Sequence, residues 1–259
     1  MDLKLEEERK KMITLVKEAS LRWQEAFNRG DAQECANQYD EDAIMHPYPF
    51  ELMHGKENIK QFWQKLIDQG HKNVEYKKSH YHPIDGRKCY LFSEWTMNKA
   101  KGLIMKEVWI ANEDRTSAKL SEDYFAVYDE KSTPNDLRKK EIIEAVQKAS
   151  ALWREGFNKG SSTQCAAAYS VNSEMIARPF GSTKFGRTDI RDFWKNLISQ
   201  GFSDVKYIDT EIIPLSNDLA ALNAKWTMNN AKGEIYHELF RIADDGKAYI
   251  ELDHFEALP

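Results

Sequence analysis

The chain contains nearly the same sequence twice. The octet from Trp95 to Gly102 returns between Trp226 and Gly233, identical except for Lys99 against Asn230. Other positions that match between the two halves are Trp23 and Trp153, Phe27 and Phe157, Cys35 and Cys165, Phe62 and Phe193, and Trp63 and Trp194. A repeat of about 130 residues is the length of a domain, far longer than a solenoid unit. We therefore predict two domains of one fold, residues 1–130 and 131–259, with a linker in the polar stretch 129–136.

Composition and charge exclude several classes of function. The net charge is -5 over 259 residues, which argues against a basic surface that binds nucleic acid. The first residues lack the apolar core of a signal peptide, and no apolar stretch reaches transmembrane length. Cys35 and Cys165 are repeat twins at a helical position, which is typical of buried, reduced thiols. We therefore expect a cytoplasmic protein that does not act at a membrane.

The order of apolar and polar residues predicts the secondary structure of each repeat. Apolar side chains recur every three or four positions from Met12 to Phe27, which indicates an amphipathic helix. Asp31 with Glu34, and Ser161 with Gln164 in the second repeat, have the spacing of capping boxes that begin a short helix. A third helix carries an apolar stripe around the Phe-Trp pair. The strands that follow in the first repeat are predicted at 74–83, 88–98, 103–113 and 118–128.

These elements give an α+β domain with helices on one face of a curved, mainly antiparallel sheet. The first helix ending in AFNRGD, the EDAIMHP strand, and the HGKENIKQFW and FGRTDIRDFW helices resemble the SnoaL-like branch of the nuclear transport factor 2-like superfamily. The resemblance implies two cone-shaped domains, each with a cavity between sheet and helices. It also implies a range of functions, because the superfamily includes ketosteroid isomerase, polyketide cyclases, dehydratases and epoxide hydrolases as well as non-catalytic binding domains.

Glu107 and its twin Glu238 are the first candidate site residues. Strict alternation along a strand places Glu107 on one face with Met105 and Trp109, and Glu238 on one face with Tyr236. A carboxyl group among aromatic side chains either lines a cavity, where desolvation raises its pKa, or is a structural group bonded within the sheet. Both interpretations stay open at this point. In ketosteroid isomerase, an acid at the corresponding position donates a hydrogen bond to the substrate oxyanion.

Two further positions depart from the isomerases that the chain resembles. Those enzymes hold a catalytic carboxylate before the proline that ends the first strand, where we place His46 in repeat one and Arg178 in repeat two. Histidine can act as a base near neutral pH, whereas arginine cannot. Trp23 and Trp153 stand where the isomerases have a tyrosine donor. The departures argue against isomerase chemistry of that type and predict that the two pockets differ in function.

Late-strand acids and histidine pairs supply the remaining candidates. Asp123 and Asp253 lie in the last strand of each repeat, where the polyketide cyclases that this fold resembles place a catalytic aspartate; a solvated edge position is the alternative. His80 and His82 share a strand face, but the sequence offers no third metal ligand. Nucleotide and phosphate motifs are also absent from the sequence. We therefore predict neither a metal nor a cofactor.

Two functions fit these residues. The first is a non-catalytic protein that binds a small hydrophobic molecule in an aromatic cavity. The alternative is an acid–base enzyme for a carbonyl or polyketide-like molecule, with His46 or Asp123 as base and Glu107 as hydrogen-bond donor. The side chains expected to contact the ligand are Trp23, Trp63, Trp109, Trp153, Arg178, Tyr236, Glu238 and Asp253.

The duplication also predicts how the halves behave. Homodimers are common in this superfamily, so we expect the repeats to associate through their sheets as a pseudo-dimer within one chain, with further homo-oligomers open. Residues 1–130 and 131–259, expressed separately, should then bind each other or aggregate, as size-exclusion chromatography would detect. Two well-behaved monomers that do not interact would contradict this prediction.

Overall fold

The computed structural model of the chain describes residues 3–128 and 134–258. Most of the predicted linker, residues 129–133, therefore lies outside the described residues. By its internal contacts the chain divides into two compact units, Met1–Ser132 and Thr133–Pro259. We refer to them as the first and second domains.

The first domain contains three helices and a six-stranded mixed sheet. Its elements are α1 (Leu3–Asn28), α2 (Ala32–Asn37), β1 (Tyr39–Tyr48), β2 (Met53–His54), α3 (Lys56–Asp68), β3 (Glu75–Pro83), β4 (Lys88–Thr96), β5 (Lys101–Ala111) and β6 (Ala118–Tyr128). The strand order is β2-β1-β6-β5-β4-β3. Only β1 and β6 pair in parallel among the strand pairs described for this sheet.

The second domain repeats this architecture. Its elements are α4 (Asp136–Asn158), α5 (Ser162–Ala167), β7 (Tyr169–Arg178), β8 (Lys184–Phe185), α6 (Gly186–Ser199), β9 (Lys206–Pro214), β10 (Leu219–Thr227), β11 (Lys232–Ile242) and β12 (Ala248–Leu258). The strand order β8-β7-β12-β11-β10-β9 is the same as in the first sheet. The predicted α+β fold class, with helices and a mainly antiparallel sheet in each domain, is confirmed.

The N-terminal ends of the short helices α2 and α5 carry the predicted caps. The Asp31 carboxylate accepts a hydrogen bond from the backbone N–H of Glu34 at 2.9 Å. In the second domain, the Ser161 hydroxyl accepts from the N–H of Gln164 at 3.2 Å. Each cap satisfies one of the N–H groups that a helix start leaves without an intrahelical partner. Two different residue pairs therefore solve the same local problem in the two repeats.

The repeated octet forms the hairpin between β4 and β5. Trp95 lies directly opposite Gly102 across the two strands. A Cβ atom added to Gly102 would lie 1.9 Å from the Ala126 carbonyl oxygen and 2.4 Å from the Trp95 ring. No side chain fits in that space, so the indole packs flat against the backbone. The second domain has the same contact between Trp226 and Gly233, which explains why both copies keep tryptophan and glycine.

The asparagine of the octet joins the hairpin to the third helix. Asn98 donates from Nδ2 to the Gly70 carbonyl at 2.9 Å and accepts the Lys72 N–H at Oδ1, also at 2.9 Å. Asn229 makes the equivalent donation to Gly201 at 2.7 Å. The sequence indicated only that asparagine suits a tight turn. Its larger role is to hold the hairpin against the C-terminal end of the helix.

A cluster of aromatic rings forms the centre of each core. In the first domain, Trp63 of α3 stacks on Phe125 of β6 with centroids 5.7 Å apart, and its edge meets Trp23 of α1 at 4.9 Å. The second domain has the same cluster around Trp194, with distances of 5.5 Å to Phe255 and 5.0 Å to Trp153. Each cluster therefore joins both longer helices to the sheet.

We expect Trp63→Ala and Trp194→Ala to destabilise the protein by about 3–5 kcal/mol each, because each removes a buried indole from the centre of its core. Leu21→Ala and Leu152→Ala are the controls, since these side chains are 53% and 48% exposed on the first helix of each domain. Thermal unfolding of the full chain gives the comparison. A tryptophan variant that melts like its leucine control would show that the indole does not belong to the core.

Candidate active site

The first domain encloses a cavity of about 520 Å³ between its helices and its sheet. The wall is mainly aromatic and aliphatic. The apolar residues that line it include Trp23, Phe62, Trp63, Leu66, Val74, Trp95, Met97, Ile104, Phe125 and Val127. Two acids, Glu107 and Asp123, also line the cavity and are only 2% and 3% exposed. The apolar chamber therefore has a pair of buried carboxyl groups at its closed end.

The antiparallel pairing of β5 and β6 brings the two acids together. Glu107 and Asp123 are direct partners across these strands, so their side chains emerge side by side on one face. The register of β5 shifts between Ile104 and Lys106. Because of this irregularity, Ile104 rather than Met105 shares the cavity with Glu107. The strict alternation predicted from the sequence was wrong at this point.

Glu107 is held by two donors. The Tyr76 hydroxyl donates to Oε1 at 3.1 Å, and the Trp109 indole N–H donates to Oε2 at 2.6 Å. Burial raises the pKa of Glu107 well above its usual value, and the nearby charge of Asp123 raises it further. The two hydrogen bonds lower this pKa, but they do not reverse the shift. The buried site therefore favours the protonated form of Glu107 more than water does.

Asp123 has one oxygen bonded and one without a partner. The Tyr39 hydroxyl donates to Oδ2 at 2.6 Å. The other oxygen, Oδ1, is buried and makes no hydrogen bond within the part of the chain that the structure describes. Burial raises the pKa of Asp123 to about 7, against the lowering effect of the Tyr39 hydrogen bond. Both protonation states of Asp123 are therefore populated near neutral pH.

Two indole donors complete the polar groups of the cavity wall. Nε1 of Trp23 and Nε1 of Trp63 are buried and have no hydrogen-bond partner among residues 3–128 and 134–258. An unpaired buried donor costs about 1–3 kcal/mol, so a bound molecule or water that accepts from either indole would be stabilised. Oδ1 of Asp123 and Nδ1 of His71, both on residues of the cavity lining, likewise have no hydrogen-bond partner in the part of the chain that the structure describes.

The structure places four of the predicted site residues around this cavity: Trp23, Trp63, Glu107 and Asp123. Trp109 was expected in the wall, but it lies behind Glu107, fully buried, and acts on the cavity through its hydrogen bond to that acid. Tyr39 and Tyr76, which bond the two acids, were missed. Both repeats keep a tyrosine at these positions, as Tyr169 and Tyr207, and this repetition was the signal that pointed to them.

His46 and Arg178 lie apart from the acids. Met45 belongs to the core of the first domain, so its neighbour His46 faces the other side of the sheet, where its ring lies 6.2 Å from Tyr48. Arg178 is on the corresponding side of the second sheet, where Nε lies 3.9 Å from a Glu256 oxygen. The structure therefore does not bring His46 together with Glu107 and Asp123.

The equivalence that the sequence suggested between His46 and Arg178 was also wrong. Strand β1 begins at Tyr39 and β7 at Tyr169, so the last residues of these equal strands, Tyr48 and Arg178, correspond. The counterpart of His46 is Ile176. Both repeats have a proline near the strand end, but repeat one has two, at Pro47 and Pro49, and the sequence comparison used the wrong one.

The second domain keeps the acids but not the space beside them; its larger pocket, about 580 Å³, is lined by Phe180, Phe193 and Phe202 and does not reach the acids. Trp153 and Asp253 line a void of only about 20 Å³. Phe202, which packs against the core there, stands where the first domain has His71 in the cavity wall. The phenyl ring replaces a smaller, polar ring and fills space at that position. The Tyr169 hydroxyl donates to Oδ2 of Asp253 at 2.5 Å, as Tyr39 does to Asp123.

Glu238 has different neighbours from Glu107. Phe240 replaces the Trp109 donor, and Arg154, at the position of Gln24, lies 4.8 Å from the Tyr207 ring. Burial and Asp253 still raise the pKa of Glu238 well above its usual value, while the charge of Arg154 lowers it. The arginine that influences this acid is thus Arg154 and not Arg178. Tyr236 lies away from Glu238, with its hydroxyl 3.4 Å from a Glu256 oxygen.

No candidate metal site is found among the residues that the structure describes. The residues that the structure describes contain no group of three or more His, Cys, Asp or Glu side chains arranged to hold a metal ion. None of the described helices is long and apolar enough to cross a membrane.

Comparison with known proteins gives one family match, within the first domain. The family described as the SnoaL-like domain matches residues 21–117, most of the first domain. No curated protein gave a significant match. Among solved structures, a protein of unknown function with a cystatin-like fold from Nostoc punctiforme is 18% identical, with a TM-score of 0.41 over 49% of this chain and 96% of its own.

Two further solved structures align over a similar length. A putative scytalone dehydratase from Novosphingobium aromaticivorans is 11% identical, with a TM-score of 0.42 over 47% of this chain and 87% of its own. A ketosteroid isomerase-like protein from Erwinia carotovora atroseptica is 13% identical, with a TM-score of 0.40 over 45% of this chain and 95% of its own. The match to the SnoaL-like domain family lies within the first domain, and the second domain has the same strand order as the first.

Proposed function

We propose that the first domain binds a small, largely apolar molecule in its cavity and holds one polar group of that molecule at Glu107 and Asp123. The observation that carries this proposal is the difference between the two domains. The space beside the core rings and the late-strand aspartate is about 520 Å³ in the first domain and about 20 Å³ in the second, where a separate, more open pocket of about 580 Å³ does not reach Asp253. An open cavity is therefore not a requirement of this fold or of its aromatic core.

The size and lining of the cavity support a ligand site. Sites for small molecules commonly occupy roughly 300–1,000 Å³ and combine apolar walls with a few converging polar groups. The walls here are formed by indole, phenyl and aliphatic side chains, and the polar groups are Glu107, Asp123 and two indole N–H groups. Apolar surface of the ligand would gain about 25 cal/mol per Å² on burial, and its polar atom would find partners at the closed end.

A neutral fluorescent probe, N-phenylnaphthylamine, tests binding to the full chain. We expect the parent protein to bind it, and His71→Phe to weaken the binding about tenfold or more, or about 1.4 kcal/mol, because the larger ring fills part of the cavity. His54→Phe is the matched control. It also introduces the residue of the second repeat, Phe185, but at an exposed position outside the cavity wall. Absence of binding to the parent, or equal binding by both variants, would contradict the proposal.

A second candidate function, acid–base catalysis on a carbonyl or polyketide-like molecule, is favoured by the state of Asp123. Its Oδ1 atom has no partner in the described parts of the chain, and its pKa is raised to about 7. Ionised Asp123 would remove a proton from the bound molecule, while protonated Glu107 would donate a hydrogen bond to the oxygen that gains negative charge. Tyr39 and Trp109 would orient the two acids through their hydrogen bonds. His46 has no part in this scheme.

The titration of the two acids tests this candidate. In carboxyl-carbon NMR we expect Asp123 to titrate with a midpoint near 7, and the midpoint of Glu107 to lie well above that of a free glutamate. Asp123→Asn should lower the pKa of Glu107, because the variant removes the neighbouring negative charge, yet burial should keep that pKa above the usual ~4.3. Any turnover should increase as the pH rises through 7, where Asp123 loses its proton and becomes a base.

Asp253→Asn is the matched control, since it makes the same change at the closed site of the second domain. It should leave the titration of Glu107 and the pH profile of turnover unchanged. Midpoints of Asp123 and Glu107 near those of free side chains, about 3.9 and 4.3, would exclude acid–base work by this pair.

A further inference from the structure

Basic side chains surround the open end of the first cavity and are missing from the second domain. Lys65, His71 and Lys99 belong to the cavity lining, and both lysines are exposed. The residues at the corresponding positions of the second domain are Asn196, Phe202 and Asn230. Lys99 against Asn230 is also the single difference within the repeated octet. The domain with the open cavity is therefore also the one whose cavity opening carries Lys65, His71 and Lys99, which we call the basic rim.

The hairpin and the third helix hold these groups close together. The Lys99 ammonium donates to the Gln69 carbonyl at the C-terminal end of α3, and Lys65 lies one turn earlier on that helix. The positive charge of Lys99 contributes to a lowered pKa of His71, after the larger effect of burial. An ammonium has three N–H donors, so Lys99 retains two after its bond to Gln69. The hydrogen bond to Gln69 therefore holds the Lys99 ammonium in place and leaves two of its N–H donors for a ligand.

Neither lysine forms an ion pair with another of the residues that the structure describes. In residues 3–128 and 134–258, no carboxylate lies within ion-pair distance of Lys65 or Lys99, although many other lysines of the chain are paired. Glu51 is the one exposed acid that also lines the cavity. With two lysines and one glutamate, the rim carries a net positive charge, which can attract an anionic group of a ligand.

The opposite end of the cavity determines where an anionic group can lie. Ionised Asp123 would repel a second negative charge, and its site is buried. An anion at the rim instead meets Lys65 and Lys99 in contact with solvent, where little desolvation is needed. The cavity is therefore polarised along its length, with the acids inside, apolar walls between, and positive charge at the opening.

We propose that the ligand of the first domain is an amphipathic anion, with an apolar body, an uncharged polar group directed to Glu107 and Asp123, and one acidic group held at the rim by Lys65 and Lys99. This inference rests on the proposed binding function of the same cavity. To that function it adds two properties of the ligand, its negative charge and an orientation with the charged group at the opening. The second domain, in which the space beside the acids is closed and Asn196 and Asn230 replace the two lysines, takes no such molecule.

Two probes that differ by one acidic group test the inference on the full chain. N-phenylnaphthylamine is neutral, and anilinonaphthalene sulfonate has the same ring system with a sulfonate. We expect the sulfonate to bind more tightly at low salt, and Lys99→Asn and Lys65→Asn each to weaken it about two- to fivefold, in the range of exposed ion pairs. The neutral probe, which has no acidic group to lose an ion-pair partner, should be weakened less than the sulfonate by both variants. Added salt should reduce the preference for the sulfonate, because it screens exposed charges.

Lys101→Asn is the control for net charge. Lys101 is exposed, lies outside the cavity lining, and is kept in the second repeat as Lys232. This variant should bind both probes like the parent. Competition by naphthylacetate and by naphthyl phosphate separates a carboxylate ligand from a phosphate ligand, and failure of both to displace the sulfonate would count against an anion site.

The outcomes separate this inference from the binding function on which it rests. Two results would contradict the anionic ligand while leaving the binding of apolar molecules intact. One is that the neutral probe binds as tightly as the sulfonate. The other is that Lys99→Asn, Lys65→Asn and Lys101→Asn change the affinity for the sulfonate equally. If neither probe binds, the proposed function itself fails.

Discussion

Stacking of one tryptophan on one phenylalanine connects the helices of each domain to its sheet. In the first domain, Trp63 meets Phe125 on its face and Trp23 at its edge, so α1, α3 and β6 share one aromatic centre. Asp123 precedes Phe125 by two residues on the same strand and therefore faces the same way. The packing that holds the helices over the sheet thus also places an acid beneath them, in a region from which water is excluded.

Burial of that acid beside a second one is unfavourable, and the domain compensates with fixed donors. Tyr39 bonds Asp123, while Tyr76 and Trp109 bond Glu107. The second domain keeps the acid pair under a nearly filled core, with Arg154 in place of Gln24 and Phe240 in place of Trp109. The acids alone are therefore compatible with a purely structural role. The features specific to the first domain are the open space above its acids and the basic residues at the rim of that space.

Duplication provides an internal comparison that a single domain would lack. Residues kept in both copies serve the fold: Trp95 against Gly102, Asn98 at the end of α3, and the stacked rings of the core. Residues that changed are found at the cavity and its opening, as with His71 and Phe202. A few substitutions at the rim and in the wall were enough to separate an open site from a closed one, because one added ring can occupy much of a small cavity.

The sequence by itself determined the duplication, the α+β class and the helix caps, because these follow from the repeat and from local periodicity, and it named Trp23, Trp63, Glu107 and Asp123 as candidate site residues. It did not determine that Glu107 and Asp123 are partners, that Ile104 rather than Met105 faces the cavity, or that His46 lies on the other side of the sheet. Those facts depend on strand register and on a local irregularity in β5. One residue of shift in a strand exchanges its two faces, and pairing between distant strands fixes that shift only in the folded domain.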